Sequence, residues 1–128
     1  MPTIIRKSSS VLVEARRETY TAMSWFVRPN TWRPPTDVYE TDENFMVKME
    51  IAGVKEEDIE VVIQSGLLLI NGTRSDSSER KSYHQMEIQF GKFSVGIELP
   101  VQVNAENATA EYKDGFLTIL LPKEKMDN

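Results

Sequence analysis

From Phe45 onward, apolar and polar side chains alternate along the chain, the period expected of strands with one face on a core. Phe45, Val47, Met49 and Ile51 fall on one face, and Met46, Lys48 and Glu50 on the other. Ala52-Gly53-Val54 ends that run, and Lys55-Glu56-Glu57-Asp58 makes a polar connection to a second apolar run, Ile59 to Ile63. Gln64-Ser65-Gly66 reads as a turn before Leu67 to Ile70. Asn71-Gly72 fits either a hairpin turn or a strand that runs on through Thr73 and Arg74. Tyr83, Gln85, Glu87 and Gln89 alternate with His84, Met86, Ile88 and Phe90, and Phe93 to Leu99 predicts a strand closed by Pro100. Lys113-Asp114-Gly115 separates two apolar-rich runs, a strong hairpin signal because Asp and Gly tolerate the positive φ of a tight turn. Phe116 to Leu121 is apolar on both faces, which predicts a central strand covered on both sides and stopped by Pro122. Asp37 to Glu40, just after Pro34-Pro35, predicts a short edge strand. Many short strands with frequent turn signals and no second helix predict an all-β, antiparallel β-sandwich.

The first 31 residues differ. Ser8-Ser9-Ser10 offers capping oxygens, and Val11, Leu12, Ala15, Ala22, Met23 and Phe26 roughly follow helical spacing. The spacing predicts a helix from about Val11 to about Trp25, too short and mixed to be stable unless it docks. Arg28 to Pro35 is rich in breakers, so the domain boundary falls near Trp32. This divides the chain into a partly helical or disordered N-terminal arm (1–31), a body (32–123) and a short tail (124–128).

Charge follows the same division. Residues 1–33 carry six basic and two acidic side chains, a net of +4, and with −5 for the whole chain the remainder holds −9. Two solvated surfaces would account for this, as would a basic arm drawn to an acidic body. The acidic body repels phosphate and shows no basic stripe with interleaved aromatics, so nucleic acid is not an expected partner. The absence of Cys removes disulfides, thiolate metal sites and cysteine catalysis together. No apolar run approaches the roughly 20 residues of a membrane span, and residues 1–10 lack a signal-peptide core. The expectation is a cytoplasmic protein that makes no membrane contact.

Catalytic chemistry finds no foothold. His84 is the only histidine, and a lone imidazole on a strand is more often structural than catalytic. Glu56, Glu57, Asp58 and Glu60 lack the alternating order and glycine turn of a Ca²⁺ loop and read as a solvated rim. There is neither a nucleophile elbow nor a phosphate-cradling glycine loop. No cofactor, no metal and no enzymatic activity are expected. Trp25, Phe26 and Trp32 flank the linker, where they either pack on the body or contact other chains.

The body resembles the small heat-shock proteins of the alpha-crystallin/Hsp20 family, bacterial or archaeal type. The strongest element is Ala110-x-x-x-Asp114-Gly115-Phe116-Leu117, similar to the family's Ala-x-x-x-Asn-Gly-Val-Leu. With it come Pro35-x-Asp37-Val38-Tyr39, Ala52-Gly53-Val54-x-x-x-Asp58-Ile59, the run LLLINGTR, Gly91-x-Phe93 and Leu99-Pro100, in family order from about Trp32 to Lys123.

The resemblance implies an immunoglobulin-like sandwich and an ATP-independent holdase that binds unfolded proteins. It places Asn71-Gly72 within or at the end of a strand. It implies a homodimer by strand exchange, in which the segment around Tyr83, His84, Met86 and Glu87 pairs with the partner's first body strand at Val38 and Tyr39. Higher oligomers are a further possibility. The arm (Val11, Leu12, Met23, Trp25, Phe26) is expected to hold clients, together with an apolar groove lined by Val61, Ile63 and Ala110. Two positions depart from the family pattern. Val95 stands where an interface Arg is usual, and no Ile-x-Ile/Val motif follows Pro122, which implies a shortened chain or assembly that stops at small oligomers with the groove unplugged. The alternative reading is a CS/p23-like co-chaperone that docks on one folded partner.

Overall fold

The computed structural model describes residues 3–6, 12–16 and 30–125. Among them are nine strands: β1 (Thr3–Arg6), β2 (Leu12–Arg16), β3 (Thr36–Glu40), β4 (Asn44–Glu50), β5 (Ile59–Gln64), β6 (Leu67–Arg74), β7 (Gly91–Glu98), β8 (Thr109–Lys113) and β9 (Phe116–Pro122). They form two sheets, ordered β1-β2-β5-β6-β7 and β3-β4-β9-β8. Every pair is antiparallel except β2 with β5, which is parallel. Short 3₁₀ turns at Glu56–Asp58 and Ala105–Asn107 lead into β5 and β8.

The core lies between the sheets and is built from the alternation seen in sequence. Phe45, Val47 and Met49 of β4 and Leu117, Ile119 and Leu121 of β9 face Val61 and Ile63 of β5, Leu68 and Ile70 of β6, and Phe93, Val95 and Ile97 of β7 in one buried cluster. Val95 is fully buried there, so this position supplies core volume rather than charge. Burying such side chains contributes about 1.5–3 kcal/mol each before chain entropy is counted.

The turns follow from local chemistry. Asp114 (φ 54°) and Gly115 (φ 85°) close β8 onto β9, and Ser65 (φ 47°) and Gly66 (φ 79°) close β5 onto β6. Paired positive φ values match the twist of the flanking strands. Asn71-Gly72 does not turn but lies inside β6, opposite Ser94 and Phe93 of β7. Asn71 Oδ1 accepts a hydrogen bond from Ser94 Oγ (2.5 Å), and its Nδ2 donates to Glu60 Oε1 (3.4 Å). Gly72 is required by packing, since a Cβ there would sit 2.3 Å from the Phe93 ring and 2.6 Å from the Asp58 carbonyl oxygen.

Three expectations need correction. Residues 12–16 form a strand where helical spacing predicted a helix. The free edge of β5 offers backbone partners that a short isolated helix cannot match, and residues 17–25 lie outside the described residues. Residues 83–90 alternate but form no strand in the single chain, because no neighbouring backbone pairs with them. Finally, β9 is central in its sheet, but only its Leu117, Ile119 and Leu121 face is fully covered, while Phe116 is exposed beneath Lys48, whose Nζ lies 4.6 Å from the ring centroid.

Candidate functional site

Three features of the sandwich bear on contacts with other chains, and the first two are open. The first is the β3 edge. Thr36 to Glu40 pairs with β4 on one side only, so its other side presents unpaired backbone groups. Val38 stands opposite Val47 on the core-facing side yet is 45% exposed, so the sandwich is open at this edge. Tyr39, on the other face opposite Met46, is also exposed.

The second is the segment between β6 and β7. Tyr83, Met86 and Ile88 are exposed, the last two at 63% and 65%. This segment lays apolar side chains open while forming no strand. Its base is fixed. Arg74, the last residue of β6, donates from Nε (2.8 Å) and Nη2 (2.6 Å) to the Gln89 carbonyl and from Nη1 to that of Ala52 (3.3 Å). The Arg74 guanidinium also stacks 4.4 Å over Trp32 and 5.6 Å from Phe90. Trp32 in turn packs edge-on against Phe93 and donates from Nε1 to the Gly91 carbonyl (3.1 Å). Trp32 therefore packs on the body, whereas Trp25 and Phe26 lie outside the described residues. Sequence reading missed Arg74; its one signal was an arginine ending an apolar strand just before a polar loop.

Within the segment, Asp76 accepts hydrogen bonds from Ser77 N (2.8 Å), Lys81 Nζ (3.3 Å) and Tyr83 Oη (3.0 Å). These donors, the Ser77 amide foremost, hold the Asp76 carboxyl below its ordinary range, and the hydrogen bond to Asp76 raises Lys81. Gln85 donates to Glu87. Glu87, Ile88 and Gln89 share an open recess with Trp32, Pro35, Glu50 and Arg74, which brings the end of the segment beside the start of β3. His84 is exposed in this same segment and sits in no catalytic arrangement.

The third feature is the β5–β8 side. Val61, Ile63 and Ala110, expected to line an open groove, are all three buried in the core cluster. The β5 edge beside them is occupied by β2. Of the arm residues expected to hold clients, Leu12 begins β2, whereas Val11, Met23, Trp25 and Phe26 lie outside the described residues.

Among the described residues, no group of three or more acidic or histidine side chains is placed to hold a metal ion. No helix among them is long and apolar enough to cross a membrane. Tyr112 is the one titratable body residue with a burial-driven shift; loss of hydration raises its phenol, which donates to the Ile51 carbonyl (2.9 Å). These surfaces offer strand edges and apolar side chains, which suit noncovalent capture of another chain.

The chain is similar to known proteins over this same region. The Hsp20/alpha crystallin family model matches residues 37–128. "Small heat shock protein C4" of Rickettsia felis is 38% identical over 94 residues, covering 72% of this chain and 58% of that protein. "Heat shock protein 16" of Schizosaccharomyces pombe is 35% identical over 99 residues, covering 74% of this chain and 69% of that one. The chain thus spans about three fifths to two thirds of the length of these relatives. Among solved structures, heat shock protein 16.0 from S. pombe superposes with a TM-score of 0.68 at 33% identity, over 77% of this chain and 71% of that one. A small heat-shock protein from Xylella fastidiosa, described as having a distinct high order structure, gives a TM-score of 0.69 at 29% identity, over 77% and 92%. The chain belongs to the Hsp20/alpha crystallin family.

Proposed function

We propose that this chain is an ATP-independent holdase: it binds unfolded proteins through apolar surface and prevents their aggregation, without acting as an enzyme. Its unit is a homodimer made by strand exchange. The observation that carries this reading is a pair of matching vacancies. The β3 edge is unpaired and open at Val38, while the segment holding Met86 and Ile88 is exposed and has no strand partner. Laid antiparallel or parallel on a partner's β3, that segment places Tyr83 and Glu87 on one face and His84, Met86 and Ile88 on the other. The Met86 face then closes the open edge over Val38. Arg74 and Trp32 anchor the base of the segment, so its reach is directed rather than free.

Clients are held by area burial, at about 25 cal/mol per Å² of apolar surface. The arm beyond β2 (Met23, Trp25 and Phe26) supplies that surface, and the acidic body keeps the complex in solution. The work takes place in the cytoplasm and requires no cofactor.

The test is heat-induced turbidity of a model client, with and without ATP. Suppression that depends on the chaperone-to-client ratio but not on nucleotide supports the reading. Unchanged turbidity at severalfold excess of this chain defeats it.

A further inference from the structure

A second set of buried apolar side chains lies outside the core. In β5, β6 and β7 the register alternates, and the positions facing away from the other sheet include Val62, Leu67, Leu69 and Gly96. Val62, Leu67 and Leu69 are only 2%, 8% and 3% exposed, although none belongs to the cluster between the sheets. Leu69 stands between Val62 and Gly96, and the missing side chain at Gly96 leaves a hollow beside it. Among the described residues no further sheet or α-helix lies over this face. A bare sheet face would leave these side chains wet, so apolar groups cover them.

The path of the chain points to the cover. β2 ends at Arg16, opposite Gln64, beyond the β5 edge. Trp32 bridges Phe93 at the opposite edge of the same sheet, where its N–H donates to the Lys92 carbonyl (3.1 Å). Residues 17–29 join these two edges. The inner side of the sheet is filled by the core, so the outer face is the direct route. In register, the route runs from the Gln64 end of the strands to the Phe93 end, and its midpoint falls over β6 at Leu69. Four strand spacings of about 4.8 Å and five residues of about 3.3 Å make a diagonal of about 26 Å. The chain from Arg16 to Trp32 reaches about 24 Å as a helix and about 53 Å extended, so its length suffices.

We propose that the outer face of β5–β6–β7, centred on Leu69, is the seat of residues 17–29 of the same chain. The middle of that segment holds Met23, Trp25 and Phe26, its bulkiest apolar run, and meets the hollow beside Leu69. Its ends carry Arg17 and Arg28, opposite in sign to Glu60 and Glu98, which stand exposed on the same face. One consequence rests on the holdase reading, whereas the seat does not: drawing Met23, Trp25 and Phe26 onto a client bares Val62, Leu67 and Leu69 at the same time, so the loaded chain gains a second apolar surface.

The full chain has no Cys, so single thiols report on the seat. Leu69→Cys should react with a maleimide far more slowly than Ser77→Cys in the exposed loop. Adding Met23→Ser, Trp25→Ser and Phe26→Ser should speed labelling of Leu69→Cys by about tenfold or more, while Leu117→Cys, between the sheets, stays slow. Fast labelling of Leu69→Cys with the native arm, or a rate that ignores the three serines, overturns the seat. Protection that vanishes on dilution assigns the cover to a second copy and overturns the same-chain occupant. If the serines also free Leu117→Cys, the sandwich has opened, and a second measurement on the native arm decides. A nitroxide on Ser24→Cys should broaden the methyl signals of Val62 and Leu69 far more than those of Val47 and Leu117 on the other sheet; equal broadening overturns the seat. Neither measurement uses a client, so a chain that protects Leu69→Cys yet holds no unfolded protein defeats the holdase and leaves the seat standing.

Discussion

Replacing Ile88 by Ala separates the fold from the assembly. Ile88 is 65% exposed in the single chain, so trimming it removes little that the monomer uses, and monomer stability should move by no more than about 0.5 kcal/mol. In the strand-exchanged dimer proposed above, the same side chain would close a partner's open edge at Val38. Ile→Ala deletes three carbons, worth about 0.8 kcal/mol each when fully buried. Scaled by the two thirds of the side chain still exposed in the monomer, the loss is about 1.5 kcal/mol per copy. Two symmetric copies give about 3 kcal/mol, or about a hundredfold in the dimer Kd. Sedimentation equilibrium across a concentration series measures that Kd, and urea unfolding measures the monomer. A dimer Kd within threefold of the native value, with the fold intact, refutes the placement of Ile88 in the interface. A large drop in monomer stability instead shows that Ile88 serves the fold.

Three further outcomes follow from single positions. Gly72→Ala drives a methyl into the Phe93 ring and the Asp58 carbonyl; overpacking of about 1–3 kcal/mol should lower the melting temperature by about 5–15 °C, and a shift under 2 °C contradicts the close approach. Arg74→Lys keeps the charge but loses the fork that holds Gln89 and the stacking on Trp32, so amide exchange over residues 75–90 should speed up severalfold while β3 to β9 stay protected. Tyr112 has a phenol raised by burial. Its neutral form is favoured in the fold, so its contribution is complete below about pH 10 and is lost as pH rises from there through the raised folded value. Tyr112→Phe should flatten that alkaline loss, which denaturant midpoints measured from pH 8 to 11 would show.

Most of the sandwich was legible because its strands satisfy local and global demands together. The alternation of Phe45, Val47 and Met49, and the turns at Ser65-Gly66 and Asp114-Gly115, pointed to the same two sheets that tertiary packing selects. What remained hidden depends on partners. Leu12 to Arg16 has a helical spacing, and only the free edge of β5 makes it a strand. Tyr83 to Phe90 carries a strand's alternation with no strand beside it in the same chain. Gly72 looked like turn chemistry, whereas its reason is the Phe93 ring across the sheet. The Arg74 stacking on Trp32 joins residues 42 positions apart, beyond any local pattern. Val61, Ile63 and Ala110, expected from the resemblance to line a groove, are buried in the core cluster by the chain itself, which their own sequence does not announce.

Selective capture of unfolded protein is the central property of the proposed holdase. The direct measurement is a native mass spectrum of the full chain mixed with a client before and after mild heating, without nucleotide. The expected spectrum shows dimers of this chain alone beside native client, then complexes of both once the client unfolds. Client lost to precipitate while this chain remains uncomplexed would contradict a holdase built on these edges.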